Sequence, residues 1–407
     1  MNYAKLRYAL YASGRDSGSM YSQFPCGDST ELSNYAYDVV RGSNASYYDQ
    51  GGLLRYATSN YPVFTNLNGE DCPFIYTQGA VSNIIDYPED FTNAMYTASG
   101  VSISNYPSYG PSIDQVSSAL VATGTGDIPH TMTFTPGIGD SSIGVLSIYA
   151  QYLSPGDSLT IKDSTGAIEV TYDLEAGTDS RTSGLDSGIY PTGYKDWYRC
   201  WISFIGATGM TISISPSSSL SFSQSGESIN IFGLNLIEYT GGDGSEKVLP
   251  YIKDTNSREA DSIVGKDTQE DLLNSKEGVF LVELMTNTGE EGYVGVNDGT
   301  TSNRLIFGID SGGRFTIIKN TVTIYYQDIS AYNLVSALVR YKEEDGEVQV
   351  YINGTLVKDE VFDDALFYKN LKKFSFNDGS SKPFYGYVKR ILHFDYLEDS
   401  EIQDLYS

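Results

Sequence analysis

Trp197–Ile205 reads WYRCWISFI. Side chains alternate between the two faces of a strand, so a period of two puts Trp197, Arg199, Trp201 and Ser203 together and Tyr198, Cys200, Ile202 and Phe204 opposite them. The second set is apolar and predicts a core-facing side. The first joins two indoles to a guanidinium, an amphipathic set able to stack on a sugar ring. Aromatic faces take the apolar C–H edges of a sugar while polar neighbours meet its hydroxyls. Packing of the same face against core or a neighbouring domain is the competing expectation.

Working outward, the flanking runs are short and β-rich. Val145–Tyr152, Ser158–Lys162, Ile168–Leu174 and Met210–Ser215 are separated by Gly, Pro, Asp and Ser. Beyond them come Val279–Met285, Arg304–Ile309, Arg314–Lys319, Val322–Tyr326, Leu334–Tyr341 and Glu347–Ile352. Regular short strands with turn signals between them read as sandwiches or barrels. Asp345-Gly346 and Asn353-Gly354 are hairpin signals, because Asn and Gly accept the positive φ of a tight turn. Helical periodicity is nearly absent. Only Asp399–Tyr406 reads as a turn or two of helix, with Ser400 as N-cap and Gln403 completing a capping box. The predicted fold class is all-β: two β-sandwich or jelly-roll domains preceded by an irregular β-rich N-terminal module.

Charge density marks the division. Residues 1–242 hold 9 basic and 23 acidic residues, whereas 243–407 hold 17 and 29 in a shorter stretch. The change falls at the Gly-rich run Thr240–Ser245, TGGDGS, which reads as a linker. A second shift near residue 100 separates an irregular stretch from regular alternation. The expected domains are therefore 1–100, 101–242 and 243–407.

The whole chain has 407 residues and a net charge of −26. Such a balance argues against holding nucleic acid by its phosphates and against docking on an anionic membrane, both of which need clustered Lys and Arg. No apolar run approaches the ~20 residues of a membrane span. The stretch Met1–Met20 lacks a basic segment followed by an apolar one, so no secretory signal is expected. The 34 Tyr suit strands, and they also suit wide, adaptable contact surfaces.

Few residues point to catalysis. Cys26, Cys72 and Cys200 are widely spaced without a CxxC pair, so neither a disulfide framework nor a structural zinc site is expected. His130 and His393 lie in no nucleophile setting and are expected to be structural. Glu343, Asp345 and Glu347 fit E-x-D-x-E, a pattern of alternate carboxylates used by β-glucanases, but Asp345-Gly346 between two apolar runs predicts a hairpin tip instead. Tyr325, Tyr326, Tyr385 and Tyr387 are candidates for an aromatic ligand face or loop rim, with ordinary sheet surface or a subunit interface as the alternative. Tyr385 and Tyr387 share a face with Lys389, which predicts exposure. The loops Asn297-Asp298-Gly299 and Asn377-Asp378-Gly379 offer oxygens to Ca²⁺, though such Gly-Asp loops are also ordinary turns. No other cofactor is expected.

Two resemblances extend this reading. Val348–Gly354 (VQVYING), Phe384–Phe394 (FYGYVKRILHF) and Leu397–Leu405 (LEDSEIQDL) together resemble the laminin G-like, concanavalin-like jelly rolls. Arg41–Tyr48 (RGSNASYY), Gly51–Leu54 (GGLL), Cys72–Phe91, Asn230–Glu238 (NIFGLNLIE), Pro250–Lys253 (PYIK) and Arg258–Asp261 (READ) resemble tail-fibre and other virion proteins of bacteriophages. Gly193–Phe204 (GYKDWYRCWISF) is similar to a strand of the carbohydrate-binding-like sandwich found there. The resemblance implies a non-enzymatic virion protein of the tail-fibre, tail-tip or head-fibre class, assembled in the host cytoplasm. It implies attachment to a host-surface glycan, other virion proteins as partners, and a homo-oligomer, often a trimer. A structural connector or capsid decoration binding only virion partners is the alternative, and a polysaccharide depolymerase a third.

Overall fold

In the computed structural model, the residues described are 6–11, 37–49, 52–57, 63–65, 74–77, 80–112, 116–123, 128–222, 226–239, 251–253, 257–258, 260–265, 276–286, 291–328, 333–362, 371, 373–379 and 381–406. The fold is all-β, built from antiparallel sheets, with one short helix near the end. Among the described residues no helix is long and apolar enough to cross a membrane. The chain forms two compact units.

The first sandwich comprises Asn44–Ala57 and Ala80–Arg258. One of its six-stranded sheets runs Asp186–Pro191, Trp197–Ile205, Ile143–Gln151, Ser228–Tyr239, Val116–Ala122, Val101–Tyr109. The other runs Thr178–Ser183, Glu169–Asp173, Ser158–Asp163, Ile212–Ser215, Thr131–Phe134, Thr97–Ser99. Leu146, Ile148, Cys200, Ile202 and Phe204 of the first sheet meet Leu159, Ile161, Val170 and Ile214 of the second in a closed core. Each such side chain contributes about 1.5–3 kcal/mol on burial. The apolar face read from WYRCWISFI is thus the core face.

The second sandwich comprises Met1–Ser43, Thr58–Gly79 and Glu259–Ser407. Its eight-stranded sheet runs Thr355–Val361, Glu347–Ile352, Val335–Lys342, Glu277–Thr286, Gly386–Phe394, Phe74–Thr77, Val63–Thr65, and Leu6–Tyr11 also pairs with Gly386–Phe394. The seven-stranded sheet runs Tyr37–Val40, Ser262–Gly265, Lys373–Ser375, Gly292–Asn297, Arg304–Ile309, Arg314–Lys319, Val322–Asp328. Phe280, Val282 and Val339 pack on Val294, Phe307 and Ile317 between the sheets.

The division differs from the expected one in two ways. The first 100 residues are shared between the two sandwiches, and the unit containing WYRCWISFI runs on to Arg258 rather than stopping at 242. The expected linker, Thr240–Ser245, lies outside the described residues. The helix spans Asp399–Asp404 with Glu398 as N-cap, two residues before the expected Ser400. The Glu401 carboxylate accepts the Glu398 N–H at 2.9 Å, so Glu401 rather than Gln403 closes the capping box.

In each sandwich the outer face of one sheet is covered. In the second sandwich the cover is the helix: Leu397, Ile402 and Leu405 pack on Val279, Leu281, Leu338, Leu392 and Phe394. Arg340 holds its start, donating to the Leu397 carbonyl at 3.0 Å and pairing with Asp399 at 2.7 Å. In the first sandwich the cover is the hairpin Ala45–Tyr48/Leu54–Ala57, together with Tyr251.

Candidate functional site

Trp197–Ile205 is flanked by Ile143–Gln151 on one side and the terminal strand Asp186–Pro191 on the other. Residues directly opposite across a ladder share a face. Trp201 therefore stands with Ser147 and Gly188, and Arg199 with Tyr149 and Tyr190.

The open aromatic face expected at Trp197, Arg199 and Trp201 is closed: all three are buried. At Trp197 the reason is the hairpin. Leu54 and Tyr251 join Trp197, Tyr149 and Phe232 in one apolar cluster, with Tyr48, Tyr56 and Tyr194 packed at its rim. The Tyr48 and Tyr149 hydroxyls bond to each other at 2.6 Å, and Ser46 Oγ donates to the Tyr251 carbonyl at 2.5 Å. Leu54 N–H donates to the Pro111 carbonyl at 2.7 Å. Gly52, with φ of +73°, brings the turn against the backbone; a Cβ there would lie 2.0 Å from the Thr192 oxygen. Burial pushes the Tyr149 phenol well above its ordinary pKa; the Arg199 guanidinium, 5.4 Å from the ring centroid, opposes that only in part. Arg199 also donates to Ser147 Oγ at 3.0 Å. Its role here is to hold the sheet face together.

Trp201 differs, because it supports an exposed ring. Tyr190 stacks on it with centroids 6.3 Å apart and planes 14° from parallel, and Tyr190 is 42% exposed. Gly188 makes the room: a Cβ there would meet the Trp201 indole nitrogen at 2.7 Å. The same terminal strand carries polar groups that bond to the neighbouring strand Thr178–Ser183. Arg181 lies 3.9 Å from Asp186, and Ser187 Oγ donates to Asp179 at 2.5 Å. Tyr190 escaped the sequence reading. Its signal was the alternation of Gly188 and Tyr190 in DSGIYP, which pairs them with Trp201 and Arg199 once the strand is placed at the sheet edge.

The four tyrosines singled out in the second sandwich do not form one site. Tyr325 and Tyr326 lie on Val322–Asp328 of the seven-stranded sheet, whereas Tyr387 lies on Gly386–Phe394 of the eight-stranded sheet, with Tyr385 just before it. Tyr325 is half-buried and donates to Gln327 at 2.8 Å. Tyr326 is exposed, with the Arg314 guanidinium 4.8 Å from its ring centroid and itself bonded to Asp310. Tyr385 and Tyr387 are half-buried, not exposed as expected.

The catalytic alternatives fall on structural positions. Glu343 and Asp345 stand in the turn between Val335–Lys342 and Glu347–Ile352, and Gly346 has φ of +65°. The three carboxylates of E-x-D-x-E thus mark a hairpin. Lys342 Nζ takes Asp345 at 2.6 Å. His130 is buried against the Gly100 carbonyl at 2.8 Å, and His393 is buried against Phe280 with its ring 4.4 Å away and Tyr341 OH 3.3 Å from Nε2. Cys200 lies in the core, and burial raises its thiol pKa. Cys26 and Cys72 lie outside the described residues.

In the two Asx loops the side-chain oxygens bond within the loops. Asn297 and Asn377 oxygens accept the Gly299 and Gly379 N–H groups at 2.8 Å each. Asp298 is taken by Thr300, and Asp378 accepts Ser381 and Lys382 N–H groups while Arg304 sits 3.2 Å away. Among the described residues no group of three or more His, Cys, Asp or Glu is arranged to hold a metal ion.

No protein-family model matches the sequence, and no curated protein matches it. Solved structures do. Domain 4 of the extracellular GH43 arabinanase AbnA from Geobacillus stearothermophilus, in complex with arabinotriose, aligns at 15% identity over 36% of this chain and 73% of that one, with a TM-score of 0.30. The CBM40 of the Ruminococcus gnavus IT-sialidase, bound to α2,3-sialyllactose, aligns at 15% identity over 32% and 83%, with a TM-score of 0.26. The CBM22-1–CBM22-2 tandem of Paenibacillus barcinonensis Xyn10C aligns at 10% identity over 79% and 99%, with a TM-score of 0.25.

Proposed function

We propose that the chain is a non-enzymatic attachment protein of a bacteriophage virion, whose first sandwich holds a host-surface glycan on the Tyr190–Trp201 platform. The stacked pair carries the reading. An exposed phenol in offset, near-parallel contact with a buried indole presents an aromatic surface backed by the core-side ring. Such a surface suits the C–H face of a pyranose, while Asp186, on the same face of the strand as Gly188 and Tyr190, offers a carboxylate for hydroxyls. The resemblance of residues 41–261 to phage fibre proteins supports the virion setting, and the acidic surface suits a particle component that must stay soluble.

The test is binding of labelled protein to host cells and to their purified surface polysaccharide. Tyr190→Ala should weaken binding by about three- to tenfold, the range of one aromatic stacking contact. Wild-type protein that binds neither would sink the glycan reading and favour a connector that meets only virion partners. Undiminished binding by Tyr190→Ala would move the site elsewhere.

A further inference from the structure

The strand Thr355–Val361 ends the eight-stranded sheet, and among the described residues no strand pairs with its outer edge. Edge strands normally discourage pairing with charge. This one also exposes large apolar side chains: Leu356, Val357 and Val361 are 47%, 40% and 66% exposed. Its charges are Lys358, Asp359 and Glu360.

The register sorts these side chains. Lys358 and Glu360 stand opposite Val350 and Val348, so both lie on the core side of the sheet, where their side chains pair at 2.7 Å. Asp359 and Val361 stand opposite Gln349 and Glu347 on the outer side. Phe362 N–H donates inward to the Gly346 carbonyl at 2.9 Å. By alternation, Glu360 and Lys358 also turn their backbone groups inward, which leaves those of Asp359 and Val361 directed out of the sheet; Val357 stands at a register shift between Val350 and Tyr351 and ends the regular stretch.

We propose that this edge pairs antiparallel with the same edge of a second copy, about a two-fold axis through Asp359. Continuing the sheet allows only registers that keep each face on its own side. Centring on Lys358 would set Lys358 against itself, and centring on Glu360 would set Glu360 against itself. Centring on Asp359 opposes Lys358 to Glu360 of the second copy twice, within the regular stretch Lys358–Val361. The Lys–Glu pairs fall at the closely spaced positions of the ladder, where side chains interact best. One like-charge contact remains, Asp359 with its own copy, and Gln349 Nε2 already donates to that carboxylate at 3.0 Å. The charge pattern of the strand is thus complementary to itself, as a two-fold interface requires.

The mass of the full chain in solution, followed by light scattering across a dilution series, tests this. Wild type should be a dimer. Lys358→Glu and Glu360→Lys should each raise the dissociation constant by about tenfold or more, since each reverses two cross-strand pairs. The double exchange K358E/E360K should return it to the wild-type value, and Asp359→Asn should lower it. Thermal melting checks that each variant is folded; if one single exchange fails to fold, the other and Asp359→Asn still decide. A monomeric wild type, a trimer indifferent to these changes, or a double exchange that stays dissociated overturns the proposal.

Discussion

The two sandwiches cover their outer sheet faces in opposite ways. The second uses the residues that follow its last strand: the chain leaves Phe394, turns, and lays Ile402 and Leu405 on a mainly aliphatic surface, with Arg340 tying down the helix start. The first uses a hairpin remote in sequence, Tyr48 and Tyr149 with bonded hydroxyls standing 101 residues apart, and it meets an aromatic, partly polar surface. A mainly aliphatic face needs little more than an apolar lid. A face carrying Tyr149, Trp197 and Arg199 needs one that also answers hydroxyls, because a buried polar group left unpaired costs about 1–3 kcal/mol. Beyond the hairpin's apolar cluster, Tyr190 stays 42% exposed beside the buried Trp201.

The largest test of this contrast removes residues 398–407. Val279, Leu281, Leu338, Leu392 and Phe394 would lose their cover, and the second sandwich should lose its cooperative melting transition while the first keeps its own. The measurement is differential scanning calorimetry; two unchanged transitions would show that the helix is ornamental.

Alkaline pH should act next. Burial raises the phenols of Tyr149, Tyr172 and Tyr251 in the first sandwich, and that of Tyr341 in the second, above their unfolded value of 10. In Tyr406, beside the helix, burial raises it to about 12. A phenol whose native pKa exceeds its unfolded one stabilises the fold fully below the unfolded value, and that stability is lost as pH rises through the native value. Stability should therefore hold up to about pH 10 and fall from there through about 12, with tyrosinate absorbance rising in step with unfolding. All 34 tyrosines titrating near pH 10 in a protein that stays folded would contradict the burial described.

The smallest change sharpens the comparison most. Tyr48→Phe removes the hydroxyl bonded to Tyr149 while keeping the ring, and should cost about 1 kcal/mol, seen as a lower midpoint in urea for the first sandwich alone. An equal shift in both transitions would mean the hairpin is not private to that sandwich.

How much was legible follows from the same contrast. Strand periodicity is local, so WYRCWISFI yielded its core face, and Asp345-Gly346 its hairpin. What lies over Trp197 is not local: nothing near Trp197 in sequence announces Leu54 or Tyr251. Tyr190 was one ladder step away and needed the knowledge that its strand is terminal. The helix cap lies two residues before the expected Ser400 although Glu is not a favoured N-cap type, because Glu401 rather than Gln403 reaches back, to the Glu398 N–H. The domain limits failed for a topological reason, since composition cannot reveal that early strands pair with late ones.

That topology has a consequence for how the chain is made. Leu6–Tyr11 pairs with Gly386–Phe394, so the second sandwich joins strands that leave the ribosome far apart in synthesis. The first sandwich is encoded entirely between them and can finish as soon as Arg258 emerges. Synthesis therefore imposes an order, with one sandwich completing while the other waits with several of its strands unpartnered, the situation in which exposed edges misassociate. A fragment starting at residue 243 would never resolve that wait, because it lacks Leu6–Tyr11, Tyr37–Val40, Val63–Thr65 and Phe74–Thr77.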